Sequence, residues 1–236
     1  MKKTNFIGTK NKADRDKWLA STLGKLKNGS SVLDAGAGEQ ANKAFCSHLD
    51  YTSQDFSQYK GSGDGGALQT GTWDTSKIDI VSDITSIPVD NASFDAILCS
   101  EVLEHVPYPT PVFEEFFRIL RSNGNLILTA PFCSLTHFSP YHFYSGFNSY
   151  FYEKVLADHG FEIIDIEPNG NYFEYLAQEL RRVRTVSEKY SNKTLNLFNR
   201  IVISLCLGLL NKINQVPNNS HELLCFGYHI HARKKE

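Results

Sequence analysis

Three histidines, His105, His137 and His142, are the residues best suited to move a proton near neutral pH, because imidazole alone among the side chains titrates there unperturbed. His137 and His142 lie in a stretch, residues 131–144, that reads Pro-Phe-Cys-Ser-Leu-Thr-His-Phe-Ser-Pro-Tyr-His-Phe-Tyr. A loop so dense in His and Tyr is costly to bury without hydrogen-bond partners, so it is expected to face a cleft. His105 closes the segment Glu101-Val102-Leu103-Glu104-His105. Against a proton-transfer role stands a simpler one, in which each imidazole is pinned by a local hydrogen bond and the loop is a structural lid.

A second group of residues is suited to holding a ligand. Gly36 and Gly38 follow the apolar run Val32-Leu33. A tight turn opening a helix uses one glycine for unusual backbone angles and another so that a ligand can approach the backbone. Asp34 places a carboxylate beside that turn, where it would repel a pyrophosphate and suit a ligand carrying an ammonium and a sulfonium. Asp55, at the end of the next candidate strand, is placed to accept hydrogen bonds from ribose hydroxyls. Asp83 ends a third candidate strand and is placed to take an exocyclic amine, with Ile84 against the ring.

Taken in order, Val32-Leu33-Asp34-Ala35-Gly36-Ala37-Gly38, Asp55, Asp83, the run from Phe94 to Val106 and the run from Arg118 to Leu128 resemble the class I S-adenosylmethionine-dependent methyltransferases, in particular the bacterial "type 11" group. The resemblance spans residues 31–167. It implies a Rossmann-like, doubly wound seven-stranded sheet whose last strand is antiparallel. It also implies S-adenosylmethionine as cofactor, with Gly36 and Gly38 at the methionine part, Asp55 at the ribose, and Asp83 with Ile84 at the adenine. The segment opened by Ser100 and Glu101 falls near the methionine end, so both join Asp34 as cofactor-binding candidates. Two departures stand out. Ser122-Asn123-Gly124 replaces the family's usual proline-glycine-glycine turn, and residues 57–76, rich in Gly, Ser, Thr and Asp, read as a mobile insertion where a regular helix is usual.

The elements that must position these residues follow from periodicity. Trp18, Leu19, Leu23 and Leu26 predict a lead-in helix over 13–27, stopped by Asn28-Gly29. Strands are expected at 31–34, 50–54, 78–81, 94–99, 125–130 and 161–167. Helices are expected at 39–48, 110–121 and 148–159. This alternation is that of a mainly parallel α/β sheet. Residues 171–213 read as two helices joined near 189–193, a helical insertion before a final strand at 223–232. The whole chain is thus expected to be one methyltransferase domain, with the cofactor core at 31–167.

Composition excludes the extremes. With 41% hydrophobic and 21% charged residues and a formal charge of −2, the chain has no overall basic field for nucleic acid. Five scattered cysteines without a CxxC pair indicate neither a disulfide framework nor a zinc site, and no metal is assigned. Lys2 and Lys3 precede no apolar signal core, so a cytoplasmic location is expected. The apolar run 201–210 is short for a membrane span and reads as a helix packed on the domain, a homodimer face or a peripheral membrane contact within 195–213. Arg181, Arg182 and Arg184 are either a solvated helix face or a grip on an acidic acceptor.

Two other functions fit parts of the pattern. Gly36-x-Gly38-x-x-Ala41 superficially matches a dinucleotide fingerprint, which would make the chain a nicotinamide-dependent oxidoreductase. A binding or scaffold protein could also retain the fold without the chemistry. The expected reaction is methyl transfer to a small-molecule or glycan acceptor, on oxygen.

Overall fold

The computed structural model describes residues 7–59, 61, 71 and 73–236. Most of the insertion after Asp55, at residues 60, 62–70 and 72, lies outside the described residues, and with it most of the segment expected to be mobile.

The elements in chain order are α1 (Asn11–Leu23), β1 (Ser31–Ala35), β2 (Asp50–Asp55), β3 (Ile80–Val81), β4 (Phe94–Ser100), α2 (Thr110–Ile119), β5 (Leu120–Pro131), α3 (Ser149–Asp158), β6 (Phe161–Asn169), α4 (Tyr172–Ser191), α5 (Leu197–Asn214) and β7 (Gly227–Lys234). The seven strands form one sheet in the order β3-β2-β1-β4-β5-β7-β6. β1 to β5 are mutually parallel where they pair, and β7 runs antiparallel to β5. This is the expected architecture. The order reverses at β1 and β4, so the carboxyl ends of those strands border the crevice where open α/β sheets bind ligands.

The chain divides into two compact units, Asp16–Glu167 with Gly227–Glu236, and Met1–Arg15 with Pro168–Phe226. In the sheet unit the central strands are buried on both faces, which is why β1 and β4 read as continuous apolar runs rather than alternating ones. Leu19, Leu23, Val32, Cys46, Ala96, Leu98 and Ile127 make one cluster of its core. α2 buries Val112, Phe113, Phe116 and Ile119, one helical stripe. Its partly polar side is tied down through buried Glu115, which accepts from the Ile87 amide at 2.6 Å and from Arg118 at 2.8 Å. Arg118 in turn donates to the Ile87 and Val89 carbonyls, so the connection into β4 is fixed from one helix.

Several boundaries differ from expectation. The helix behind the glycine turn is only a 3-10 helix, Ala41–Cys46, entered through Gln40 in the left-handed region at φ 58°. α2 is not ended by Asn123-Gly124: the chain passes at Leu120 straight into β5, and the register with β4 shifts between Leu120 and Asn125. Asn123, at φ 63°, lies within that irregularity. The last strand starts at Gly227, four residues later than expected, because Ser220–Glu222 takes a 3-10 turn first.

In the helical unit, α4 and α5 are each started by an asparagine. Asn171 accepts from the Phe173 and Glu174 amides, and Asn196 from Asn199. Asn192 ends α4 at φ 51°, near the expected break. Ile7, Ala177 and Leu207 form a small core. Of the three readings of 201–210, packing on the domain holds for a single stripe: α5 buries only Leu207, while Leu197 and Leu205 are 73% and 69% exposed. Leu207, with half-buried Ile203 and Leu210 beside it, makes the stripe on this core, and Leu197, Phe198, Ile201, Val202, Leu205 and Leu209 are exposed. By length and composition α5 also meets the minimum for a membrane crossing, at mean hydropathy 1.2. The basic cluster is engaged locally, with Arg181 donating to the Ile7 carbonyl at 2.8 Å, Arg182 paired to Glu179 and Arg184 to Glu188.

Candidate active site

β1 delivers Gly36 and Gly38 at its carboxyl end, both in the left-handed region at φ 75° and φ 52°. Any side chain at Gly36 would collide with Val102, whose Cγ2 lies 2.5 Å from the position a Cβ would take. At Gly38 the same test meets the indole of Trp73 at 2.5 Å. The turn's own amides are engaged: those of Gly36 and Ala37 donate to the Gln54 carbonyl at 2.8 and 2.9 Å, and that of Gly38 to Asp55 Oδ2 at 3.0 Å. Asp55 also accepts from the Ser57 amide at 2.7 Å.

This pattern discriminates between ligands. A phosphate needs a nest of free N–H groups at such a turn, whereas here the amides point to Gln54 and Asp55, and two carboxylates, Asp34 and Asp55, flank the turn. The arrangement fits a ligand that is cationic near the glycines, as S-adenosylmethionine is, and opposes a pyrophosphate.

Asp34 is only 1% exposed. Tyr51 donates to its Oδ2 at 2.7 Å. Burial is the main cause that pushes its carboxyl up to about 6, helped by the nearby charge of Asp55 and opposed by hydrogen bonds from Tyr51 and Asn42. Its influence on a ligand is therefore exerted through the field at the turn rather than by an open contact. Asp83 is exposed, two residues beyond β3, and accepts from the Thr85 amide and hydroxyl at 2.8 and 2.7 Å, while Ile84 is buried. At the end of β4, Ser100 Oγ lies 2.9 Å from Thr129 Oγ1, which donates to Glu101 Oε1 at 3.0 Å.

The three histidines do come together. The ring centroid of His105 lies 4.7 Å from that of His137 and 5.9 Å from that of His142, and the His137 and His142 rings are 4.8 Å apart. His105 and His137 lie beside Glu104, which is 1% exposed and follows β4 in a short 3-10 turn. The loop after β5 is docked onto this turn by its backbone, since the amides of Phe143 and Tyr144 both donate to the Glu104 carbonyl. His105 Nδ1 lies 2.5 Å from the Tyr141 carbonyl, His137 Nδ1 2.8 Å from that of Leu135, and His142 Nε2 3.2 Å from Ser134 Oγ. Burial, chiefly, and the neighbouring imidazoles push the His105 pKa down to about 3, and the same two causes lower that of His142.

Phe138 joins the histidines to the glycine turn. Its ring lies 5.0 Å from His105, 4.6 Å from Tyr59 and 4.9 Å from Trp73. The insertion after β2 thus contributes two aromatic rings beside the turn. Sequence reasoning did not single out Tyr59, Trp73, Phe138 or Tyr51, nor Glu104 as a neighbour of His137. Only the local Glu104-His105 pair carried a signal, because the rest depends on a docking between segments over thirty residues apart.

A seven-stranded sheet with β7 inserted antiparallel between β5 and β6, and a glycine turn flanked by acids after β1, is the Rossmann-like fold of the class I methyltransferases. Residues 33–128 match the methyltransferase domain family, so the chain carries an S-adenosylmethionine-dependent methyltransferase domain and S-adenosylmethionine is its cofactor. The curated proteins contain no match to the sequence. Among solved structures, a Galdieria sulphuraria protein assigned as a sarcosine dimethylglycine methyltransferase superposes with a TM-score of 0.59 at 16% identity, over 94% of this chain and 86% of that one. An S-adenosylmethionine-dependent methyltransferase from Archaeoglobus fulgidus gives 0.56 at 16% identity, over 94% of each chain. The [4+2]-cyclase SpnF gives 0.55 at 18% identity, over 93% of this chain and 80% of that one. At these identities the likeness is one of fold.

Proposed function

We propose that the protein transfers the methyl group of S-adenosylmethionine to a hydroxyl oxygen of a small-molecule or glycan acceptor. The observation that carries this reading is the convergence of His105, His137 and His142 at the carboxyl edge of β4 and β5, joined through Phe138 to the rings beside Gly38. A hydroxyl must lose its proton as it attacks the methyl carbon in line, and an imidazole is the side chain suited to receive it. His142 is the best placed. Its ring is held by Ser134 alone among the contacts described above, whereas His105 and His137 are anchored to backbone carbonyls.

On the cofactor side, Gly36 and Gly38 allow the close approach of the methionine part. Asp55 accepts from the ribose hydroxyls with the lone pairs left beside its two backbone bonds. Asp83 and Ile84 serve the adenine, and Ser100 and Glu101 face the methionine end. Asp34 favours the cationic ligand from beneath the turn. Bound S-adenosylmethionine would supply the methyl group and would leave as S-adenosylhomocysteine as its carbon–sulfur bond gives way to the new oxygen–carbon bond, while His142 would take the proton that the acceptor hydroxyl loses.

Parallel calorimetry with S-adenosylmethionine, S-adenosylhomocysteine and NAD tests the cofactor side. Binding of the first two and not the third is expected, and NAD binding alone would overturn the reading. Methyl-transfer assays with wild type and His142→Gln over a panel of hydroxyl, amine and thiol acceptors test the rest. A loss of about 10²–10⁴-fold in rate with S-adenosylhomocysteine affinity intact is expected for a general base. Turnover confined to amine or thiol acceptors would replace oxygen as the target, and cofactor binding without turnover on any acceptor would favour a binding role.

A further inference from the structure

α5 keeps most of its apolar side chains outside the small core of its unit, and their arrangement is ordered. At about 3.6 residues per turn, Leu197, Ile201, Leu205, Phe198, Leu209 and Val202 follow one another across about 140° of the helix. All of them are exposed. The opposite side carries Leu207, Ile203 and Leu210, which pack with Ile7 and Ala177. Asn214 fastens the end of α5 to the start of α4, donating to Glu174 and accepting from Asn171. The helix therefore has one face committed to its own unit and the other turned out as a continuous apolar strip.

The surroundings of the strip are basic. From Lys189 to His221 the sequence has no Asp or Glu and carries Lys189, Lys193, Arg200 and Lys212, in a chain whose formal charge is −2. Lys193, Arg200 and Lys212 are exposed. The acids of α4 are engaged in other bonds: Glu174 accepts from the Gly8 amide and from Asn214, Glu179 pairs with Arg182, and Glu188 pairs with Arg184. Lys212 stands three residues beyond Leu209, on the apolar side itself. Its methylene stem can follow the strip while its ammonium reaches past it.

An apolar strip edged with cations matches the boundary of a bilayer, where acyl chains lie beneath anionic headgroups. A second copy of the chain is a poorer match, because a two-fold contact would gather Arg200 and Lys212 of both copies at one face with no acid in either segment to meet them. We propose that α5 lies along the surface of an anionic phospholipid membrane, with its strip among the upper acyl chains and Lys193, Arg200 and Lys212 at the lipid phosphates. The apolar run 201–210 is about 15 Å long, half of a hydrocarbon core of about 30 Å. Leu207 stays packed with Ile7 and Ala177, so the helix rests on the bilayer rather than crossing it. The contact does not depend on the methyl-transfer reading or on the acceptor.

The test is sedimentation of the full chain with vesicles of phosphatidylcholine alone and with vesicles that also contain phosphatidylserine. Binding to the anionic vesicles, and little to the zwitterionic ones, is expected. Each basic side chain near an anionic surface contributes about fivefold in partitioning, so the triple variant Lys193→Gln, Arg200→Gln, Lys212→Gln should lose on the order of 10²-fold. Leu205→Ser with Leu209→Ser should lose at least as much. Both sets of side chains are exposed, so the thermal melts should stay those of the wild type. Wild type that ignores phosphatidylserine, anionic preference unchanged in the triple variant, or binding retained in the leucine variant overturns the proposal. A dimer that the leucine substitutions dissolve, in place of vesicle binding, would assign the strip to a second copy.

Discussion

The indole of Trp73 lies against Gly38, so close that a single added methyl group at the glycine would meet its Cζ2 at 2.5 Å. A cofactor using this turn must either stack on that ring or displace it. The other tryptophan, Trp18, is held apart from this event, stacked on His229 at 5.0 Å and donating to Glu167. Titration with S-adenosylhomocysteine should therefore change the intrinsic fluorescence of wild type and of Trp18→Phe, and leave that of Trp73→Phe flat. A response that survives in Trp73→Phe would place the ligand elsewhere.

Gly36 is constrained twice, by φ 75° and by Val102. A residue with a side chain costs roughly 1–2 kcal/mol in the left-handed region, and the overlap with Val102 adds to that. Gly36→Ala should lower the melting temperature and abolish cofactor binding. Gly36→Ala with Val102→Ala removes the overlap but not the backbone cost, so it should recover part of the stability. No recovery would mean that Val102 is not what limits the turn.

Asp55→Ala removes the acceptor of the Gly38 and Ser57 amides together with the proposed ribose contact. A charge-assisted hydrogen bond contributes about 1.5–3 kcal/mol, and the affinity for S-adenosylhomocysteine measured by calorimetry should fall accordingly. Unchanged affinity in a folded variant would remove Asp55 from the site.

Asp34 makes the stability of the ligand-free protein depend on pH. Its carboxyl is raised by burial from 3.8 to about 6, so between those values the folded chain holds a proton that the unfolded chain has released. Stability from this group is then full below about 4, and is lost as pH rises through 6, to a total on the order of 3 kcal/mol. Asp34→Asn carries no such charge. In thermal melts its stability relative to wild type should rise between pH 5 and pH 8. A pH-independent difference would show that Asp34 ionises at no cost in the fold.

Much of the turn after β1 and of the sheet around it was legible because its constraints are local. Positive backbone angles at Gly36 and Gly38 call for glycine, and the stripe Val112, Phe113, Phe116 and Ile119 announces its own helix. The break between α4 and α5 was visible as polar residues near 189–193, and Asn192 supplies it. What escaped depends on distant partners. The helix expected at 39–48 shrank to a 3-10 turn, and Leu120 joined β5 because its place opposite Phe94 was already available. Glu104 gave no sign of being a meeting point, since the amides that dock the histidine loop onto it belong to Phe143 and Tyr144.

The outward face of α5 also governs how the molecule behaves in a tube. Leu197, Phe198, Leu205 and Leu209 are all more than half exposed, and a side chain of this kind withdrawn fully from water contributes about 1.5–3 kcal/mol. That driving force is unrealised in the isolated chain. Salts excluded from protein surfaces strengthen it, and mild detergents satisfy it. Ammonium sulfate should precipitate the protein at unusually low concentration, and charged replacements at Leu205 and Leu209 should raise that threshold without altering the cooperativity of unfolding.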